Sequence, residues 1–256
     1  CYCFTPMRYA WSLQEEYFGR NPLKRALIDR LLARLRAWDR AASDRVDRFV
    51  AISRHVQERI RRFYGRESAV VYPPVATQYF TPAARGGHDG YDLVVSALVP
   101  YKRVDLAVRA YAQSGRPLKI AGAGTELAAL RKLAAPNVEF LGRVPDEGVR
   151  ELYRRCRFLV FPGEEDFGIV PLEAQACGKP VVAFGKGGLL ETVVAGRTGA
   201  FFGEQTPEAL QAAVAQAENA DWDPAAIRAH AETFGEDRFL AGLRAEIAAT
   251  LEGRRS

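Results

Sequence analysis

With 256 residues, 48% of them hydrophobic, the chain is long enough to bury a sizeable core and to form two domains. It contains no run of about 18 apolar residues that would cross a bilayer, and its start does not read as a secretory leader. The net charge of +5 is uneven: from Arg20 to Arg66 there are fourteen Lys/Arg against five Asp/Glu, a bias that would suit nucleic acid, an anionic membrane face or a phosphorylated substrate.

The chain begins Cys1-Tyr2-Cys3 and its one methionine is Met7, which points to a piece of a longer protein. Cys1, Cys3, Cys156 and Cys177 have no Cys-x-x-Cys spacing, so reduced, mostly buried thiols of a cytoplasmic protein are expected. His55, His88 and His230 lie far apart and form no metal-ligand pattern.

Taken in chain order, Tyr9, Trp11, Tyr17 and Phe18 would either pack in a core or line a groove. Leu23, Leu27, Leu31, Leu35 and Trp38 recur at steps of four and three, predicting an amphipathic helix. A short buried strand is expected over 47–53, a basic helix over 54–63 ending near Gly65, and a strand over 69–72 stopped by Pro73 and Pro74. Residues 81–90, rich in glycine and proline, have linker composition and place a domain boundary after residue 82. Beyond it, strands at 92–96, 118–121, 138–141, 158–161 and 180–184 alternate with helices at 104–114, 126–133, 147–155, about 171–177 and 189–194. That alternation predicts an α/β fold with a doubly wound parallel sheet. Residues 207–217 and 225–249 read as closing helices. Asp221-Trp222-Asp223 resembles a metal motif, but Pro224 follows it, so helix capping is the better explanation.

Chemistry-bearing residues concentrate where strands end. Glu165 follows the 158–161 strand, and Glu173 stands eight positions later in a short helix for which Pro171 suits the first position. Free amides around 167–170 would leave the carboxyl end of a parallel sheet, where ligands and phosphates bind. Two acids beside an anion site make sense if the ligand also carries hydroxyl groups, as a sugar nucleotide does. Lys102 and Arg103 follow the 92–96 strand and could hold a diphosphate, although an exposed basic turn is an equally ordinary reading. Gly122-Ala123-Gly124 opens a helix but lacks the third glycine of a dinucleotide fingerprint. Gly142-Arg143-Val144 could border a base, and the loop of Gly185, Lys186, Gly187 and Gly188 offers amides to an anion. Each of these turns alone would be unremarkable.

The Glu165-x7-Glu173 frame, with Phe167-Gly168 inside it and Gly178-x-Pro180-Val181-Val182 after it, resembles the donor signature of family-4 GT-B glycosyltransferases (glycosyl transferases group 1). The resemblance extends through 95–105, 122–124, 138–144 and 187–193, and back to 5–11 and 72–75. The wording Glu165-Asp166-Phe167-Gly168-Ile169 looks most like bacterial mannosyltransferases of polysaccharide and O-antigen assembly. Ala97, commonly arginine in the family, and Phe4, commonly histidine, depart from its pattern. The resemblance implies a complete donor domain over 83–232, the rear part of an acceptor-side Rossmann-like domain over 1–82, and a helix over 233–256 packing back on the latter. Further strands of that first domain are expected ahead of the chain's start.

By the same resemblance, Glu165 would contact the donor sugar and Glu173 the ribose. Phe167, Gly168 and Ile169 would approach sugar and phosphate through their amides, with Gly187 and Gly188 nearby. Lys102 and Arg103 would hold the diphosphate, and Arg143 and Val144 would border the base. The implied activity is retaining hexosyl transfer, mannose from GDP-mannose being favoured, to a saccharide or lipid-linked acceptor in surface polysaccharide synthesis. It would proceed without cofactor, metal or nucleic acid, in the cytoplasm, with peripheral contact to the inner membrane face. The alternatives are an epimerase of the same architecture, a two-carboxylate glycosidase, and a nucleic-acid-binding protein using the basic first third.

Overall fold

The computed structural model describes residues 1–12, 22–84 and 86–253. Tyr17 and Phe18 lie outside the described residues. The chain divides into two units, one of Cys1–Pro73 with Phe239–Ser256 and the other of Pro74–Arg238. The sequence expectation put the divisions at 82/83 and 232/233.

The first unit holds a parallel sheet of β1 (Tyr2–Cys3), β2 (Phe49–Ala51) and β3 (Ser68–Val70), in that order. Its helices are α1 (Arg8–Trp11), α2 (Pro22–Ser43) and α3 (Arg54–Tyr64). Ser53 caps α3 by accepting a hydrogen bond from the Val56 amide at 3.0 Å, and Gly65 ends it in the left-handed region at φ 68°. In α2 the buried arc is not the leucine–tryptophan stripe that the spacing picked out. Leu32 is buried, whereas Leu27, Leu31 and Trp38 are 64%, 54% and 60% exposed. Polar contacts decide the orientation. Trp11 Nε1 donates to Asp39 Oδ2 at 2.7 Å and Arg36 Nε donates to Ala10 O at 2.6 Å, which holds the Arg36–Asp39 side inward. From Phe239 onward, α11 (Glu236–Gly253) packs on this sheet, with the Tyr2 and Phe239 rings 5.6 Å apart and Arg48 paired with Glu246.

The second unit is a six-stranded parallel sheet in the order β6-β5-β4-β7-β8-β9. Its strands are β4 (Asp92–Val95), β5 (Leu118–Ala121), β6 (Val138–Gly142), β7 (Leu159–Phe161), β8 (Val181–Phe184) and β9 (Gly199–Phe202). Its helices are α4 (Val104–Ser114), α5 (Leu127–Leu133), α6 (Asp146–Arg155), α7 (Ile169–Ala176), α8 (Leu189–Thr192), α9 (Pro207–Glu218) and α10 (Pro224–Glu232). Strand side chains alternate between two cores. Val94, Val160 and Val182 join α4, α5 and α9 on one face, while Leu93, Leu159, Phe161, Val181 and Ala183 join α6, α7, α8 and α10 on the other. Burial on both faces is why these strands read as unbroken apolar runs.

Three local readings change. β9 was not anticipated, because Gly199 opens it beside a turn. α7 begins at Ile169, so Pro171 takes its third position, where the amide has no intrahelical partner to lose. The stretch read as one closing region is two helices, α10 and α11, with Asp223 Oδ1 accepting from the Ala225 amide at 2.8 Å to start α10.

Candidate functional site

Because all six strands are parallel, their carboxyl ends share one edge of the sheet. The chain leaves β4 towards β5 and β6, then returns to add β7, β8 and β9 on the other side. β4 and β7 are therefore neighbours whose following loops diverge, and such a switch point leaves a crevice for a ligand.

Lys102 and Glu165 come from the two loops at this point. Lys102 ends a 3-10 turn over Pro100–Lys102 after β4, and its Nζ donates to Glu165 Oε2 in the loop after β7. Each side chain is only 16% exposed. The ammonium also lies 5.5 Å from the Tyr101 ring centre and 5.7 Å from that of Phe161, so two aromatic faces border it. Glu165 is held by its own main chain: its Oε1 accepts from the Asp166 amide at 3.2 Å, and its carbonyl accepts from the Gly188 amide at 2.8 Å. Glu165 and Gly187 form a parallel bridge. Gly187 sits at φ 68°, and a Cβ there would lie 2.5 Å from the Glu165 carbonyl oxygen. Only glycine permits that approach without strain.

Arg103 is the one described non-glycine residue with positive φ, at 52°. Its guanidinium is directed to Asp105 Oδ1 at 3.1 Å and Gln205 Oε1 at 3.0 Å, not to Glu165. Gln205 in turn donates to the Pro162 carbonyl at 2.9 Å. The loop ahead of α9 is thus tied to the loop carrying Glu165.

The Phe167 ring is buried, 5.8 Å from Phe234, so only its backbone faces the loop. Gly168 precedes α7 at φ 102°, and Ile169 is 40% exposed at the helix start. Thr192 Oγ1 donates to the Phe167 carbonyl at 3.3 Å, while its own carbonyl accepts from Gln175 Nε2 at 2.9 Å and lies 3.2 Å from His230 Nε2. Burial pushes the His230 pKa down, which favours the neutral ring.

Glu173 lies one turn into α7, where Tyr153 Oη donates to its Oε2 at 2.9 Å. Burial raises its carboxyl pKa to about 7; the tyrosine bond opposes that rise and the nearby Asp146 charge adds to it. Arg143 is exposed just past β6, and Val144 packs towards Gly148 of α6. The Gly122 amide donates to the Gly142 carbonyl at 2.7 Å, joining the carboxyl ends of β5 and β6.

The structure therefore joins Lys102, Glu165, Gly187 and Gly188 directly, engages Arg103 beside them, and turns Glu173 towards α6. Sequence reasoning missed Tyr153, Gln205 and Thr192. A tyrosine on the apolar side of α6 was the one available signal, because a buried phenol needs a partner. Among the described residues no three His, Cys, Asp or Glu side chains gather as metal ligands.

The family model described as "Glycosyl transferases group 1" matches residues 83–234. A D-inositol 3-phosphate glycosyltransferase of Gordonia bronchialis is 30% identical over 77% of this chain and 51% of its own length. A GDP-mannose-dependent alpha-(1-6)-phosphatidylinositol monomannoside mannosyltransferase of Mycolicibacterium smegmatis is 32% identical over 64% of this chain and 50% of its own. The chain spans about half the length of the curated relatives it matches. Among solved structures, Anabaena HepE in complex with UDP and glucose superposes with a TM-score of 0.68 at 21% identity, over 81% of this chain and 63% of that one. The fold is that of the GT-B glycosyltransferases, and the chain belongs to the glycosyl transferases group 1 family.

Proposed function

We propose that this chain carries the donor-binding machinery of a retaining hexosyltransferase, with a nucleoside diphosphate sugar as donor and a saccharide or lipid-linked molecule as acceptor. The observation that carries this reading is the Lys102–Glu165 pair at the β4–β7 switch point. A cation and a carboxylate meeting there match the two ends of such a donor, a leaving diphosphate and a ring of hydroxyl groups. Without donor, each neutralises the other. With donor, Lys102 turns to the diphosphate and Glu165 accepts from sugar hydroxyls, so the cation faces the charge that grows as the leaving group departs.

In the reaction, the bond from the sugar's anomeric carbon to the diphosphate oxygen breaks, and a bond from that carbon to the acceptor oxygen forms on the same face. The acceptor proton passes to a diphosphate oxygen, so no separate protein base is needed. Glu173 accepts from the ribose hydroxyls, the main chain at Phe167, Gly168 and Ile169 approaches sugar and phosphate, and the Gly187–Gly188 amides lie beside them. Arg143 and Val144 border the base. Arg103 acts with Lys102 once donor phosphate competes for its guanidinium.

Mannose from GDP-mannose is the favoured donor, supported by the name of the Mycolicibacterium smegmatis relative. The chemistry as written uses no bound metal. Three buried cysteines outside any disulfide, Cys3, Cys156 and Cys177, fit a reducing cytoplasmic setting.

Calorimetry of this chain with GDP-mannose, UDP-glucose and UDP-N-acetylglucosamine tests the donor. GDP-mannose binding tightest is the expected result, and a preference for either UDP sugar overturns the choice of mannose. In the whole protein, inversion at the anomeric carbon of the product, read by NMR, would overturn the same-face mechanism.

A further inference from the structure

Arg103 stands where the backbone favours other residues. It ends the Pro100–Lys102 turn with φ at 52°, in the left-handed region that glycine adopts most readily. It also occupies the N-cap of α4, where Ser, Thr, Asp or Asn would bond a free amide, and its side chain makes no capping bond. With both backbone preferences against arginine, its side chain is the reason for its presence. That side chain is held at two of its three nitrogens. Nε donates to Asp105 Oδ1 and Nη1 to Gln205 Oε1, while Nη2 has no hydrogen bond to the described residues.

Gln205 suits this task because its amide both accepts and donates. Arginine only donates and the Pro162 carbonyl only accepts, so the oxygen faces Arg103 and the nitrogen faces Pro162. Its main chain is anchored from behind. Thr206, the next residue, caps α9 by accepting from the Ala209 amide at 3.2 Å. Leu210, Ala213 and Val214 of α9 share a core with Ala107, Val108 and Tyr111 of α4, and Gln211 Nε2 donates to the Ala110 carbonyl at 2.9 Å. Gln205 thus reaches Arg103 from a packed helix start.

On the donor-site reading above, we propose that Gln205 is a positioning residue: it holds the Arg103 guanidinium so that Nη2 takes an oxygen of the donor's second phosphate beside Lys102. A planar group fixed at two corners has little freedom left to lose on binding. Neutrality matters as much as reach. An incoming phosphate competes with Asp105, whereas the amide keeps its bond without cancelling the positive charge.

The test is calorimetry with GDP against GMP and UDP against UMP, on the wild-type chain, Gln205→Ala, Gln205→Glu, Arg103→Gly, which suits the left-handed turn, and the double variant Gln205→Ala with Arg103→Gly. For the preferred base, Gln205→Ala should weaken the diphosphate about 3- to 10-fold and the monophosphate less than about 2-fold, since a merely structural role would weaken both alike. Gln205→Glu keeps an acceptor for Arg103 but offsets its charge, and should lose at least as much diphosphate affinity. Adding Gln205→Ala to Arg103→Gly should change affinity less than about 2-fold, because the glutamine acts through the arginine. Equal losses for mono- and diphosphate, a full added loss in the double variant, or wild-type diphosphate affinity in Gln205→Glu overturns the proposal. Wild-type diphosphate affinity in Arg103→Gly, with a loss in Lys102→Ala, sinks the role of Gln205 and leaves the donor site standing. A wild-type chain that takes neither diphosphate sinks both.

Discussion

Lys102 and Glu165 are 63 positions apart in the chain and meet in one ion pair, because β4 and β7 are sheet neighbours although β5 and β6 intervene in sequence. Neither residue is placed by its own helix or strand. Lys102 ends a 3-10 turn, and Glu165 is clamped by the amides of Asp166 and Gly188. The pair thus reports the geometry of both loops at once, and replacing either partner separates binding from chemistry. Glu165→Gln keeps a side chain that can donate to and accept from hydroxyls but no longer offsets positive charge. Transfer by the whole protein should fall at least about 100-fold, while nucleoside diphosphate affinity changes less than about 3-fold. Steady-state kinetics and calorimetry check the two halves of this statement.

Glu173 should make stability depend on pH. Burial raises its pKa from 4.5 to about 7 in the folded chain. Between those values the native state holds more protons than the unfolded one, so stability falls as pH rises through this window and levels off above about 7. The full effect is about 3 kcal/mol. Glu173→Gln removes it, so the stability gap between variant and wild type should move by about that amount in the variant's favour from pH 5 to pH 8, read by denaturant unfolding. Nucleotide affinity of the wild type should rise over the same window, because the ionised carboxylate is the better acceptor for ribose hydroxyls.

Asp92 makes an independent check on the core. It is fully buried at the start of β4 and accepts from Tyr111 Oη at 2.6 Å and from Arg157 Nη2 at 2.9 Å. Burial pushes its pKa up, and both partners oppose that rise. Arg157→Ala leaves the carboxylate without its cation and should cost about 3–5 kcal/mol of unfolding free energy. Nucleotide affinity of the fraction that stays folded should be unchanged.

Gly187→Ala tests the loop clamp. The left-handed backbone and the 2.5 Å approach to the Glu165 carbonyl should make this substitution cost about 1–3 kcal/mol and weaken donor binding by more than about 10-fold. Gly203→Ala on the neighbouring loop, where a Cβ meets open space, should do neither. Thermal unfolding and calorimetry of the two variants distinguish a local clash from a general intolerance of alanine.

Much of the second unit was legible in the sequence because its periodicity is strong. β7 and β8 are short apolar runs, β4 is one after Asp92, and α4 spans Val104–Ser114 as its spacing predicted. The placing of the candidate side chains at strand ends was legible too, since parallel order puts every carboxyl end on one edge. Long-range partners were not. Tyr153 reaches Glu173 from another helix, and Gln205 reaches Arg103 across 102 positions, so no local spacing announces either contact. β9 escaped because Gly199 passes for a turn residue, although it serves to let the β8 backbone approach. The leucine spacing of α2 correctly marked a helix, but its inward face is set by Asp39 and Arg36, whose partners in α1 periodicity cannot see.

The most direct measurement is calorimetric titration of the wild-type chain and Lys102→Ala with GDP, UDP and their monophosphates. The wild type should prefer one diphosphate over its monophosphate. The variant should lose most of that preference, a drop of about 10- to 100-fold, as expected for removing one charge-assisted contact. An unchanged preference in Lys102→Ala, or a wild-type chain that takes neither diphosphate, would contradict a phosphate-holding role for the β4–β7 switch point.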